Sequence, residues 1–168
     1  FSFAKVNKAG ARYDHDKTRW FNQQYLRAKS DSELGSLLQA EAAKAGHNID
    51  MTKALAIASL MKERAYFISD LWQDAQFFFD PPTEYDEKTL QKKWTSEAKN
   101  HVEQLHSLFE KLSDFSSLSI EETFKAYLAN ENVGFGKVGP GFRLAVTGKG
   151  MGPSMFDICA ILGKEETL

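Results

Sequence analysis

Three observations predict an all-α fold, a helical bundle or cage of two small subdomains. Apolar residues recur three and four positions apart, as at Leu34, Leu37, Leu38 and Ala42, which is the period of one buried helix face. Short polar residues able to cap a helix N-terminus stand ahead of these segments, such as Ser30 with Glu33 three positions on. No segment shows the strict alternation of a half-buried strand, and no period of about 20 to 50 residues repeats.

The 168 residues suffice for one good core or two small ones. Apolar residues at 42% and charged residues at 26% predict a soluble globular chain, and no run of about 18 apolar residues offers a membrane span. The chain starts at Phe1 with neither methionine nor a basic-then-apolar leader, which reads as a piece of a longer polypeptide rather than a secreted protein. The single cysteine, Cys159, lies in the apolar run MFDICAIL and is expected to be a reduced core residue of a cytoplasmic protein. Without a sustained heptad seam, a monomer is expected. The net charge of −2 argues against a nucleic-acid binder, but the charge is uneven. Residues 1–29 carry seven bases against two acids, residues 30–132 ten against eighteen, and residues 133–168 four against three. An acidic middle with basic ends lets a molecule orient near a polyanion.

Residues 1–13, basic and without a clear period, read as a linker. Asp14 or Asp16 caps a first helix through KTRWFNQQYLRAK, expected to bury Trp20, Phe21, Leu26 and part of Tyr25. Ser30 and Glu33 form a capping box for the second, which Gly46 ends. Asp50 caps the third, with Leu55, Ala58, Leu60 and Met61 inward and Arg64 at its end. A short helix through ISDLWQDAQFFF is closed by Pro81 and Pro82, which mark the boundary between subdomains 14–80 and 81–168. Its aromatic residues suit a core between packed helices, base stacking being the alternative. Asp86 then caps EKTLQKKW, Thr95 or Ser96 caps a helix to about Leu112, and Ser119 with Glu122 is expected to open IEETFKAYLANEN. A short helix around Phe142 to Val146 and a last helix from Pro153 to Gly163 follow, with KEETL frayed.

The stretch from Val133 to Gly163 departs from this helical composition. It is dense in glycine, carries Pro140 and Pro153, and from Val133 to Phe156 has only Lys137, Arg143 and Lys149 as charged side chains. Bare peptide groups and cations with no carboxylate near them in sequence suit an anion or nucleic-acid surface, although such clusters also simply turn a chain. No catalytic or metal site assembles. His15, His47, His101 and His106 lack ligand spacing, Cys159 has no cationic neighbour in sequence, and GKGMGPS lacks the lysine and hydroxyl of a phosphate-binding loop.

Three blocks, DHDKTRWFNQQYLR, MKERAYFISDLW and GPGFRLAVTGKGMGPSMFDICAILGKEETL, occur in the order and spacing of a known family. Together they resemble the C-terminal, anticodon-binding half of bacterial glutamyl-tRNA synthetases. The resemblance implies an α-helical cage gripping the anticodon loop of glutamate tRNA, joined through residues 1–13 to an upstream catalytic domain not contained in these residues. No cofactor is then expected here, ATP and magnesium belonging to that domain. It implies that Arg64 reads the third anticodon base, that Arg143 contacts the first two, and that Gly152, Pro153, Ser154, Met155 and Phe156 pack against them. A planar guanidinium can donate paired hydrogen bonds to unstacked base edges, or stack on them. Gly152 stands where a threonine before the proline would otherwise donate a hydrogen bond. Lys5, Lys8, Arg12, Lys17, Lys137 and Lys149 are candidate phosphate contacts. Alternatives are a salt bridge of Arg64 with Glu63 or Asp70, and a core position for Met155. For the whole chain they are a helical protein-interaction scaffold, or the related cage of class I lysyl-tRNA synthetases.

Overall fold

A computed structural model describes residues 14–168, which form ten α-helices and one 3-10 turn with no strand among them. The linker expected at residues 1–13 lies outside the described residues. Helix α1, His15–Ala28, starts where the Asp14 carboxylate accepts the amides of Asp16 and Lys17. It docks mainly by polar contacts to one turn: Asn22 donates to the Tyr66 carbonyl at 2.7 Å, and Arg27 donates to the Glu63 carbonyl at 2.9 Å and pairs with its carboxylate. Only Leu26 is buried; Trp20, Phe21 and Tyr25 remain 52%, 49% and 71% exposed. The expectation that these three rings join the core is corrected, because the helix meets the rest of the molecule along its Asn22, Gln23 and Arg27 side.

Helix α2, Asp31–Lys44, opens with the Ser30–Glu33 capping box, and Gly46 after it takes a φ of +89°. Helix α3, Met51–Met61, is capped by Asp50. The two helices approach so closely that a side chain at Gly35 would press on the backbone of Leu55. Helix α4, Ile68–Asp74, and the 3-10 turn Gln76–Phe78 complete a first core of Leu26, Leu34, Leu38, Ile57, Met61, Leu71 and Phe78. Phe77 and Phe78 are buried there and Phe67 is exposed, so the aromatic segment is core in the main.

Helices α5, Glu87–Lys93, α6, Ser96–Phe109, and α7, Ser117–Asn130, begin at caps Asp86, Thr95 and Ser116. Helix α7 thus starts earlier than the Ser119–Glu122 pair suggests, because Asp114 gathers the hydroxyls of Ser116 and Ser119 and turns the chain before it. Buried His101 of α6 lies 2.6 Å from the Tyr127 hydroxyl, which in turn donates to Gln104.

Helix α8, Phe135–Thr147, corrects the short helix expected around Phe142 to Val146: most of the glycine-rich stretch is helical. A glycine costs a helix about 1 kcal/mol and an interior proline about 3 kcal/mol, yet burial of Val138, Phe142 and Leu144 outweighs this, each large apolar side chain contributing about 1.5–3 kcal/mol. One of the glycines serves packing, since a Cβ at Gly139 would enter the ring of Phe135, whereas one at Gly141 would only make ordinary contact with Ala98 of α6. Helix α9, Met155–Leu162, is capped by the Ser154 hydroxyl. The segment expected to fray forms helix α10, Lys164–Thr167, held by the Lys164 ammonium on the carbonyls of Glu110 and Leu112 at 2.7 and 2.8 Å.

The second core holds Leu105, Phe109, Ile120, Phe124, Val138, Phe142, Met155 and Cys159. Helix α9 belongs to both: Ile158 enters the first core while Met155 and Cys159, on the adjoining face, enter the second. The loop leading into α9 therefore lies where the two cores meet.

Candidate nucleic-acid interface

Arg143 leaves the middle of α8, between buried Phe142 and Leu144, and its side chain is half-buried at the junction. Its Nη1 is fully shielded from solvent and has no hydrogen-bond partner. Burial holds the guanidinium below its ordinary range, and the positive charge of Arg64 pushes it further the same way. Arg64, distant in sequence, thus lies within reach of Arg143's charge, and neither has an ion pair among the described residues. A buried donor without a partner costs about 1–3 kcal/mol, a cost that an arriving acceptor would remove.

Arg64 stands on the turn after α3, its amide donating to the Met61 carbonyl at 3.0 Å, and is exposed. The two carboxylates that could have neutralised it are engaged elsewhere. Glu63 pairs with Arg27 at 2.9 Å, and Asp70 accepts the amides of Tyr66 and Phe67 at 3.2 and 3.0 Å.

The loop between α8 and α9 is held by close approaches. Thr147 donates its hydroxyl to the Arg143 carbonyl at 2.8 Å and accepts the Lys149 amide at 3.1 Å. Gly148 ends α8 with a φ of +69°, and a Cβ there would collide with the Glu84 carbonyl; its own carbonyl accepts the Asp86 amide at 2.8 Å. The Thr-Gly pair is therefore a turn whose first residue ties back to the arginine and whose second cannot carry a side chain. Lys149 is exposed beyond it, with no ion pair among the described residues.

Other candidates fare differently. Met155 is corrected: at 2% exposure it belongs to the second core, since the first turn of α9 points its side chain inward, and it has no face to offer RNA. Met151, at the loop tip, is 82% exposed and was missed, because a methionine flanked only by glycines carries no periodic signal. Phe156 is half-buried against Phe124, with ring centres 5.4 Å apart, and Pro153 is half-buried. Ser154 is exposed, but its oxygen already accepts the Asp157 amide. Lys137 is paired with Glu97 of α6 at 3.0 Å, which corrects the expectation that no carboxylate approaches the cations of this stretch. Lys17 is exposed on α1, whereas Lys5, Lys8 and Arg12 lie outside the described residues. Burial pushes the Cys159 thiol up to about 12, so it stays protonated near neutral pH and is no nucleophile. No group of three or more metal-ligating side chains occurs among the described residues, nor is any helix there long and apolar enough to cross a membrane.

Residues 23–168 match the family model described as an anticodon binding domain. Over all 168 residues the chain is 40% identical to the glutamate–tRNA ligases of Phocaeicola vulgatus and Flavobacterium psychrophilum, covering 33% of each. It superposes with a TM-score of 0.87 on the crystal structure of a glutamate tRNA ligase from Elizabethkingia meningosepticum in complex with its amino acid, at 37% identity. That match covers 99% of this chain and 33% of that one. The chain thus spans about a third of the length of the curated relatives it matches. It belongs to the anticodon-binding domain family.

Proposed function

We propose that the chain is the tRNA-reading portion of a glutamate–tRNA ligase, gripping the anticodon loop of glutamate tRNA while a catalytic portion of the longer protein, with its ATP and magnesium, charges the other end. The observation that carries this reading is the buried Nη1 of Arg143, which has no hydrogen-bond partner, with the charge of Arg64 acting on it and no ion pair to either among the described residues. Such a donor is suited to an anionic or hydrogen-bond-accepting ligand, and unstacked bases of a single-stranded loop offer both edges and faces. Arg64 reads the third anticodon base and Arg143 the first two, with Gly152, Pro153 and the exposed Met151 bordering them. Lys149 and Lys17 supply phosphate contacts. The protein acts as a cytoplasmic monomer.

Binding to a glutamate tRNA transcript and to one altered only at the third anticodon base tests this. The cognate transcript should bind more tightly, with log K falling linearly against log salt as counterions are released. Equal binding to both transcripts would remove the anticodon from the account; binding to neither at low salt would remove RNA.

A further inference from the structure

The glycines of the loop between α8 and α9 are not equivalent. A Cβ at Gly148 would strike the Glu84 backbone from a residue at positive φ, so the fold itself demands that glycine, and one at Gly150 would crowd the side chains of Thr89 and Asp86. At Gly152 no positive φ requires glycine, and an added Cβ would meet only the guanidinium of Arg143, 2.8 Å from Nη1 and 4.0 Å from Cζ. That is the far end of a flexible side chain, able to swing away at small cost to the fold. The same Nη1 is the buried atom that lacks a hydrogen-bond partner.

We propose that Gly152 is a positioning residue for Arg143, its missing side chain leaving the space in which the buried Nη1 of the guanidinium rests. The identity of residue 152 then sets where the guanidinium stands and, through it, how tightly the anticodon is held. This rests on the reading of Arg143 as an RNA contact. With Arg143 placed as it is in this chain, a side chain at 152 pushes the guanidinium out of its recess, so that the site must reorganise on RNA binding.

The test compares wild type with Gly152→Ala, Arg143→Ala and the double variant. Without RNA, Gly152→Ala should shift the side-chain 15N resonance of Arg143 and leave thermal unfolding nearly unchanged. With the glutamate tRNA transcript it should weaken binding by roughly fivefold to tenfold, within the range of one base-contacting arginine. In the Arg143→Ala background it should add nothing. An unmoved Arg143 resonance, or an equal loss in that background, overturns the proposal. Should Gly152→Ala unfold the chain, the double variant, having no guanidinium to clash with, must regain stability; failure to do so also overturns it. If Arg143→Ala alone leaves tRNA affinity intact, the reading of Arg143 as an RNA contact falls, while a shifted resonance would still uphold the steric relation.

Discussion

Arg143 leaves the middle of a helix whose neighbours meet it at van der Waals distance, whereas Arg64 leaves an exposed turn after a helix has ended. In the proposed interface the two are prepared by different means. Around Arg143 the constraints are steric: Gly148 lets the chain turn under the Glu84 carbonyl, and Gly152 makes room for the guanidinium. Around Arg64 they are polar. The carboxylates of Glu63 and Asp70 are satisfied by Arg27 and by two backbone amides, which leaves the arginine charged and unclaimed. A binding cation can thus be prepared by shaping the space it occupies or by occupying its competitors, and the two preparations should fail differently.

The steric side should break hardest. Gly148→Ala places a Cβ on a residue at φ +69° and against a backbone carbonyl, and should cost about 2–4 kcal/mol in urea unfolding by backbone strain and overpacking together. An unchanged midpoint would show that the turn relaxes freely and that the steric account of Arg143 is mistaken. Next, Arg143→Ala should lower tRNA affinity by about 2–3 kcal/mol whichever base stands third in the anticodon. Arg64→Ala should remove about 1–2 kcal/mol, and only for the cognate third base. The comparison is sharpest in those paired measurements. If both variants lose affinity without regard to the third base, the arginines are a general electrostatic clamp rather than two separate readers.

Where sequence and structure agree, local chemistry decides. The caps at Asp14, Ser30, Asp50, Asp86 and Thr95 need only a side chain and an amide three or fewer positions away, so they are legible without tertiary knowledge. Arg64 and Arg143 were reached through their place in the family's blocks, since nothing local distinguishes them from solvated arginines. That the charge of one acts on the other was invisible, being a property of how the two cores are joined by α9. Helix α8 was misjudged because glycine and proline report intrinsic propensity, while the helix is decided by the burial of Val138, Phe142 and Leu144. Periodicity likewise marks Trp20 and Phe21 as apolar but cannot say whether another surface covers them. Met155 is buried and Met151 exposed for a related reason: four positions separate a loop tip from the first buried turn of a helix.

On the polar side the effects should be smaller. Asp70→Ala frees the amides of Tyr66 and Phe67 and should cost about 1 kcal/mol, as the loss of an N-terminal cap does. A loosened turn should also blunt discrimination at the third base by weakening cognate binding, with affinity for the altered transcript unchanged. A loss of stability with discrimination intact would separate Arg64 from the turn that carries it.

The least of the expected effects is one of pH, and it falls on the steric side. The Asp86 carboxyl lies below its ordinary value because the Thr89 side chain and then its backbone amide hydrogen-bond the ionised form, with Lys88 adding a weaker pull; burial opposes them. A depressed folded-state value stabilises the fold above the unfolded value of about 4, and that stability is lost as pH falls through the lower, folded value. Asp86→Asn keeps a side-chain oxygen to accept the Thr89 amide but removes the charge. Stability near neutrality should then fall by what the ionised cap contributes, while its decline with acid below about pH 4 becomes shallower by up to one proton in linkage slope. Asp31, Glu33, Glu97 and Asp114 are lowered in the same direction and will keep an acid limb in the variant, so the readout is the difference in slope rather than its disappearance. Because the Asp86 amide also holds the Gly148 carbonyl, a variant whose slope matches wild type would mean that this corner is secured by its backbone hydrogen bond alone, with the charge on the cap contributing nothing to it.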